Sequence, residues 1–292
     1  MSILPTGQQF AIASGRYAAV VTEVGATLRS LTVDGDEILW TFPEDGTPQG
    51  CAGEQLAPWP NRIRDGRYTF DGEEFQLNIS EVPRNTALHG LLGGLPFTAV
   101  RHTDDEVVLR AVIYPQKGWA GTVEFTVGHR VSDEGLTVTV EATNIGQVRA
   151  PYGYGAHPYV AAELGDAILT TPFAEELVVD AERLLPTGLG AVTAEHDFRR
   201  PRPMGDAEFD SAFTGVEDQW LVSVEANDRV VEFWADETMG WGQIYTNPER
   251  TAIAIEPMTC GPDAFNEGPT HDGVIVLEPG HSTVSQWGIR VR

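Results

Sequence analysis

The chain has 292 residues with 43 acidic and 19 basic side chains, and its formal net charge of −24 at pH 7 argues against nucleic acid and anionic membranes as partners, which are bound through Lys and Arg. Its two cysteines, Cys51 and Cys260, form neither a CxxC pair nor a metal-ligand spacing, which argues against a disulfide framework. Residues 1–10 lack a basic segment followed by an apolar core, and no apolar run reaches the length of a membrane span. We therefore expect a cytoplasmic protein that acts on neutral or weakly charged small molecules.

Short β-type runs separated by turn residues follow one another along the chain, and helical periodicity is almost absent. Early strands are predicted at residues 17–24, 26–33 and 37–42. Four later hairpins are predicted from turn sequences such as Asp71-Gly72 and Asn227-Asp228, whose residues tolerate positive φ. These hairpins pair residues 67–70 with 74–79, 97–102 with 107–114, 122–131 with 136–143, and 220–226 with 230–234. We expect less than about 15% helix, against about 30% in an average globular protein.

Two irregular stretches, residues 43–64 and 187–206, are rich in proline and lack periodicity. Neither is predicted to link two domains, because β-type runs of the same character continue on both sides. We therefore predict one all-β, mainly antiparallel domain over residues 1–292, with function concentrated in its long loops.

His157 is the first candidate for a functional residue. It lies in residues 151–160 (PYGYGAHPYV), where Pro158 favours extended backbone for the residue before it. Gly153 and Gly155 permit close approach to a ligand or to another segment. A titratable ring in this setting fits a pocket for a polar small molecule, and it fits equally a core histidine at the end of a buried strand.

Polar residues in two loops are further candidates. Asn61 and Arg62 precede a predicted hairpin, and the fork of donors on Arg62 suits sugar hydroxyls or a carboxylate, with a surface ion pair as the alternative. His89 lies close to three glycines, which indicates close backbone approach, and a histidine that caps a loop is the alternative.

A carboxylate ends the last strongly apolar run. Residues 251–256 (TAIAIE) predict a strand buried on both faces, and Pro257 holds Glu256 in extended backbone. Burial is expected to raise the pKa of Glu256 toward the range used by general bases, while a structural glutamate paired with an arginine is the alternative. Asp263 and Asn266, in the loop that follows, are predicted to cap the site.

Six short motifs, in their order along the chain, resemble those of the aldose 1-epimerases, or galactose mutarotases. Each motif is unspecific alone, but the ordered set spans nearly the whole chain. The motifs are Asn61-Arg62-Ile63, Leu88-His89-Gly90, His157-Pro158-Tyr159, Phe209-Asp210 with Phe213, Gln243-Ile244-Tyr245-Thr246, and Glu256 followed by Pro262-Asp263-Ala264 and Asn266. The resemblance implies a large antiparallel β-sandwich of the galactose mutarotase type, with the sugar site in a cleft on its concave face.

The resemblance also implies roles for the matching residues. Glu256 is similar to the general base of the family, His157 to its general acid, and His89 to a second histidine that contacts the sugar and assists protonation. The residues that resemble the substrate-binding set are Asn61, Arg62, Asp210 and Gln243. The implied activity is the interconversion of the α and β anomers of a free aldose by a monomer or homodimer, without a metal or other cofactor.

Three other activities are possible for a protein with these residues. A sugar-phosphate mutarotase would need additional basic residues at the cleft, for which Arg64 and Arg67 are candidates. A non-catalytic carbohydrate-binding protein would keep binding residues and tryptophans, of which Trp59 and Trp241 could stack on a pyranose face. A glycosidase would require two carboxylates that flank the bond, and the sequence offers only Glu256 in such a setting.

Histidines elsewhere in the chain carry less signal. His89, His157 and Glu256 would satisfy a metal site of two histidines and one carboxylate, but no local ligand spacing supports it. The remaining histidines fall in turns or at strand edges and are predicted to lie at the surface; they are His102, His129, His196, His271 and His281.

Overall fold

The structure of the protein, a computed structural model, describes residues 3–292. Strands make up almost all of its regular secondary structure. In chain order they are β1 (Gln9–Ser14), β2 (Tyr17–Thr22), β3 (Leu28–Val33), β4 (Asp36–Glu37), β5 (Gln55–Leu56), β6 (Arg62–Arg64), β7 (Arg67–Phe70), β8 (Glu73–Gln76), β9 (Thr86–Leu88), β10 (Thr98–His102), β11 (Glu106–Ile113), β12 (Val123–Ser132), β13 (Gly135–Asn144), β14 (Ala150–Tyr152), β15 (Gly155–Ala156), β16 (Tyr159–Ala161), β17 (Ile168–Thr170), β18 (Glu175–Val179), β19 (Pro186–Ala191), β20 (Arg202–Pro203), β21 (Asp210–Thr214), β22 (Trp220–Ala226), β23 (Arg229–Ala235), β24 (Trp241–Thr246), β25 (Ala252–Met258), β26 (Ile275–Leu277) and β27 (Ser282–Val291).

Two large antiparallel sheets dominate the fold. One has nine strands in the order β10-β11-β12-β13-β27-β23-β22-β17-β20, and the other has eight, in the order β19-β18-β21-β24-β25-β15-β5 with β16 also paired to β25. A four-stranded sheet, β1-β2-β3-β4, and three two-stranded sheets complete the arrangement. The main apolar core draws on both large sheets, with Phe125 and Val138 from the first and Ile253 and Ile255 from the second. The predicted antiparallel β-sandwich is confirmed.

The four later hairpins predicted from turn residues are all present. They are the antiparallel pairs β7 with β8, β10 with β11, β12 with β13, and β22 with β23. At their turns Asp71 and Asn227 have φ of 50° and 53°, the left-handed conformation that the turn sequences indicated. Local sequence therefore determines most of the strand pairing between neighbours.

The strand predicted at residues 37–42 is wrong beyond its first residue, because β4 ends at Glu37. The Glu37 carboxylate accepts the backbone N–H groups of Leu31 at 3.0 Å and of Leu39 at 3.1 Å. A side chain thus takes the place of a partner strand for these donors, and the chain leaves the sheet.

The helical segments in residues 3–292 are two single 3₁₀ turns, Val82–Arg84 and His271–Gly273. The helix content is therefore far below the 15% limit expected from the sequence. Neither turn has the length or the apolar character needed to cross a lipid bilayer.

Candidate active site

A cavity of about 290 Å³ opens at the eight-stranded sheet. Its volume lies at the lower end of the range for small-molecule sites, roughly 300 to 1,000 Å³. The lining includes all seven site residues predicted from the sequence. The lining residues are Gly50, Cys51, Asn61, Arg62, Glu81, Arg84, Leu88, His89, His157, Tyr159, Asp210, Gln243, Tyr245 and Glu256.

Strand register builds the floor of this cavity. Side chains alternate between faces along β25, so Ile255 enters the main core while Glu256 lies on the opposite face. Glu256 is the register partner of Gln243 in β24, and Tyr245 in β24 is the partner of Asp210 in β21. Three neighbouring strands therefore present polar side chains on one face of the sheet.

Glu256 and His157 form a buried pair in the cavity. Nε2 of His157 lies 3.3 Å from Oε1 of Glu256, and the two side chains are 7% and 2% exposed. Oε2 of Glu256 and Nδ1 of His157 are buried without a hydrogen-bond partner among the described residues. The Tyr159 ring stacks on His157 at 4.9 Å and fixes its plane. Buried polar atoms without partners are costly, so these two atoms are candidates to serve a ligand or a proton.

The environment drives both members of the pair toward their uncharged forms. Burial raises the pKa of Glu256 well above its ordinary value, the nearby Asp210 charge adds to this effect, and Arg62 opposes it. Burial also lowers the pKa of His157 to about 3. The pair therefore retains a single proton, which these pKa directions place on Glu256.

Reciprocal hydrogen bonds fix the orientation of His89. The Asn61 N–H donates to Nδ1 of His89 at 3.2 Å, and the His89 N–H donates to the Asn61 carbonyl at 2.9 Å. Because Nδ1 accepts, the neutral ring carries its proton on Nε2, where it can be donated to a ligand. Burial, together with His157 and Arg62 nearby, lowers the pKa of His89 well below 6.5 and keeps the ring neutral.

The backbone at His89 and Asn61 is also unusual. Their φ values of 60° and 56° lie in the left-handed region, which residues other than glycine adopt rarely. Such conformations cost stability and tend to occur at functional sites.

Arg62 is held by a carboxylate that the sequence did not reveal. Its Nε and Nη2 donate to the two oxygens of Glu81, at 2.9 Å and 3.1 Å. Arg84, which also lines the cavity, donates from Nη1 to Oε1 of Glu81 at 2.9 Å. Arg62 is only 7% exposed, so it is not the surface arginine of the alternative reading.

Asp210 and Gln243 form a second polar group beside Arg62. Nε2 of Gln243 donates to Oδ1 of Asp210 at 2.8 Å, and Nη2 of Arg62 lies 3.7 Å from Oδ2 of Asp210. Oε1 of Gln243 is buried with no partner in the described part of the chain. This arrangement leaves acceptor oxygens for the hydroxyl groups of a sugar.

The tryptophans proposed to stack on the sugar do not line the cavity. Trp59 is buried against Phe265, with ring centroids 6.1 Å apart, and Trp241 packs in a small apolar cluster with Leu177 and Met258. Of the two possibilities, stacking on a sugar and buried packing, both rings take buried packing, the commoner outcome for tryptophan. The aromatic side chains at the cavity are Tyr159 and Tyr245.

Asp263 and Asn266 lie behind the site rather than over it. The Asp263 carboxylate accepts the backbone N–H of Arg64 at 2.8 Å, and the Asp263 N–H donates to the carbonyl of Arg62 at 2.7 Å. Asn266 donates to the Asp263 carboxylate at 2.8 Å. The expected capping role is therefore wrong, and both residues instead brace β6, the strand that carries Arg62.

The predicted surface position is wrong for His129. His129 is fully buried in β12, because strand alternation places it on the same face as Phe125, Val127 and Val131. His196 is partly buried as well, with Nδ1 2.6 Å from Oε1 of Glu176.

Within residues 3–292, no group of three or more His, Cys, Asp or Glu side chains has an arrangement that could hold a metal ion.

Comparison with known proteins identifies relatives over nearly the whole length of the chain. The family model described as Aldose 1-epimerase matches residues 8–290. The Escherichia coli K12 protein described as uncharacterized protein YihR is 32% identical over 282 residues, which cover 94% of this chain and 90% of YihR. A second protein of that organism, described as uncharacterized protein YphB, is 24% identical over 297 residues, covering 97% of this chain and 98% of YphB.

Solved structures share the fold at low sequence identity. A galactose mutarotase-like protein from Clostridium acetobutylicum superposes with a TM-score of 0.85 at 20% identity, covering 97% of this chain and 94% of that one. A GalM/aldose epimerase homologue from C. elegans gives a TM-score of 0.84 at 19% identity, covering 98% of both chains. At this identity the likeness concerns the fold alone.

Proposed function

The chain belongs to the aldose 1-epimerase family, and on that premise we propose that it interconverts the α and β anomers of a free aldose by general acid–base catalysis. The observation that carries the proposal is the buried pair of Glu256 and His157, 3.3 Å apart at the cavity. Such a pair can move one proton in each direction, which is the requirement of anomerisation.

The proton count of the pair matches the reaction. In the reactive form His157 holds the shared proton and Glu256 is ionised. Glu256 takes the proton of the C1 hydroxyl while His157 gives its proton to the ring oxygen, and the C1 to ring-oxygen bond breaks to leave an open-chain aldehyde. After rotation about the C1–C2 bond, Glu256 returns its proton to O1 and the ring oxygen returns one to His157 as the ring closes. The pair ends with the proton where it began.

The pKa directions define the resting state from which this cycle starts. Because burial destabilises both ionised Glu256 and protonated His157, the resting pair is uncharged with its proton on Glu256, and the reactive ion pair forms when that proton moves to His157. Tuning a carboxyl group upward by burial is how other acid–base sites reach useful pKa values near neutrality.

The remaining polar residues are proposed to bind and orient the sugar. His89 offers its Nε2 proton to a sugar oxygen, Arg62 supplies further donors, and Oε1 of Gln243 accepts a hydrogen bond from a sugar hydroxyl. Asp210 accepts hydrogen bonds from sugar hydroxyls, and Asn61 acts through the His89 ring that it fixes. Orientation by such groups raises the rate when the reacting atoms are held in register with the acid and base.

The contacts of the arginines favour a free aldose over a sugar phosphate. Arg64 pairs with Asp263 at 2.9 Å, and Arg67 donates to Gln76 at 2.7 Å; neither arginine lines the cavity. The two arginines that do line it share the single carboxylate of Glu81. A non-catalytic sugar-binding protein is disfavoured because binding alone would not call for a buried carboxylate and imidazole pair.

Polarimetry on freshly dissolved single anomers tests the proposal. The protein is expected to accelerate the mutarotation of at least one common aldose over the buffer rate, with Glu256→Gln as the matched inactive variant. Prior dialysis against a chelator should leave the rate unchanged if the two side chains carry the proton transfers. A panel of hexoses and pentoses with no acceleration by the wild type would rule the activity out.

A further inference from the structure

Glu81 occupies a central position in the wall of the cavity, although it is proposed neither to transfer a proton nor to bind the sugar. Its two oxygens accept four hydrogen bonds: from Nε and Nη2 of Arg62 at 2.9 Å and 3.1 Å, from Nη1 of Arg84 at 2.9 Å, and from the Thr86 hydroxyl at 2.7 Å. Its side chain is 12% exposed. One carboxylate therefore binds both guanidinium groups that line the cavity.

These hydrogen bonds keep Glu81 ionised. Burial by itself would raise its pKa, but the hydrogen bonds from Arg62, Thr86 and Arg84, together with the charge of Arg62, outweigh burial and lower the pKa below its ordinary value. A carboxylate held by two arginines in a bidentate and a single contact is a strong, oriented arrangement.

The charges of the cavity balance only because Glu81 is present. The lining contains two arginines, Arg62 and Arg84, and two carboxylates outside the proton-transfer pair, Glu81 and Asp210. Glu256 and His157 together add no net charge in either of their one-proton forms. The sum is zero; loss of the Glu81 charge makes it +1, and loss of the Arg84 charge makes it −1.

We propose that Glu81 is a specificity-determining residue, which neutralises Arg62 and Arg84 and so makes the cavity select neutral aldoses against sugars with a carboxylate or phosphate substituent. This inference rests on the proposed mutarotase activity. An anionic substituent would meet the Glu81 and Asp210 carboxylates, while Arg62 is held in a bidentate contact and the charge of Arg84, whose Nε has no partner among the described residues, is offset by the single hydrogen bond from its Nη1 to Glu81. Rejection by unfavourable charge is a common source of specificity.

The test compares sugars that differ in charge and little else. D-Glucuronamide and D-glucuronate have the same ring and nearly the same size, but C6 carries a neutral amide in the first and a carboxylate in the second. If the wild type prefers galactose to glucose, D-galacturonamide and D-galacturonate are used instead. Exchange between anomers is measured for both by NMR magnetisation transfer at equilibrium, and the ratio of kcat/KM for amide over acid is the readout. The wild type is expected to favour the amide.

Two variants should move this ratio in opposite directions. Glu81→Gln is expected to lower the preference for the amide at least about tenfold, a change that corresponds to about 1.4 kcal/mol. Arg84→Gln should raise the preference for the amide. This variant tests the same charge balance even if Glu81→Gln does not fold. A purely structural role of either residue would reduce both substrates alike and leave the ratio unchanged.

Glu232→Gln is the matched control. Glu232 is likewise a buried carboxylate that forms ion pairs with two arginines, Arg290 and Arg292, but it lies in β23 and does not line the cavity. This variant is expected to retain the wild-type ratio. The inference is overturned if the wild type favours the acid, or if the folded variants at Glu81 and Arg84 keep the wild-type ratio while the enzyme remains active. A wild type that exchanges no sugar overturns the proposed function itself.

Discussion

Protonation of His129 is expected to limit the stability of the fold in acid. The residue is 0% exposed, neither ring nitrogen has a hydrogen-bond partner among residues 3–292, and burial lowers its pKa from 6.5 to about 3. The unfolded chain takes up this proton near pH 6.5, and the folded chain does not until about pH 3. Between these values the unfolded state binds more protons, so the free energy of unfolding falls as the pH falls.

The size of the effect follows from the two pKa values. Their separation corresponds to about 5 kcal/mol at about 1.4 kcal/mol per pH unit, a loss that is complete only below about pH 3. At about pH 4.5 the same linkage removes roughly 2 to 3 kcal/mol relative to neutral pH. For a domain with a total stability of about 5 to 15 kcal/mol this is a substantial fraction.

Urea denaturation of the wild type and of His129→Leu at two pH values measures this loss. Leucine has a similar volume and no polar atoms, so the variant should already be the more stable at about pH 7, and the gap should widen by roughly 2 to 3 kcal/mol at about pH 4.5. His281→Leu is the control, because His281 is exposed and its replacement should not change the pH dependence. A gap that stays constant between the two pH values would show that protonation of His129 does not limit the stability of the fold in acid. The result also gives the lowest pH at which the protein stays folded. Above that pH, a loss of activity can be attributed to the candidate active site and not to unfolding.

Four further predictions concern the proposed chemistry. Glu256→Gln and His157→Asn should each lower kcat by about 10²- to 10⁴-fold with an unchanged circular dichroism spectrum, and a variant of either residue with wild-type kcat would contradict the acid–base assignment. Arg62→Ala should mainly raise KM, with a smaller loss of kcat from poorer orientation, and wild-type values of both constants would remove Arg62 from the binding set. The pH profile of kcat/KM should be bell-shaped, falling in acid when the Glu256 and His157 pair takes a second proton and in alkali when it loses its only one, and a profile that is flat on both sides would argue against a shared proton. His89→Gln keeps a side-chain donor and should retain more activity than His89→Ala in the same assay, whereas equal losses would show that the Nε2 proton is not used.

Much of the site could be predicted because its residues carry local signals. Glu256 ends an apolar run and precedes a proline, and His157 lies before a proline among glycines and tyrosines. Both features depend on neighbours in the chain, so they can be recognised in the sequence without the tertiary structure. The burial of His129 could have been found in the same way, because the alternation of Val127, His129 and Val131 in one strand places all three on the same face.

Other features had no local signal. Glu81 lies 19 residues from Arg62, and it reaches Arg62 only because β6 pairs with β9 and the Val82–Arg84 turn folds back beside them. Trp59 has a sequence context compatible with either a stacking platform or the core, and packing against Phe265 decided between them.

The sequence by itself therefore determined the all-β class, the hairpins and the candidate acid and base, since turn chemistry, alternation and residue type act over a few neighbouring positions. Three features depend on the tertiary structure: Glu256 lies beside His157, Glu81 holds both arginines of the cavity, and the aromatic rings that line the cavity are those of Tyr159 and Tyr245. Those outcomes depend on register between strands that are distant in the chain. A shift of one residue in register would turn each side chain to the opposite face of the sheet.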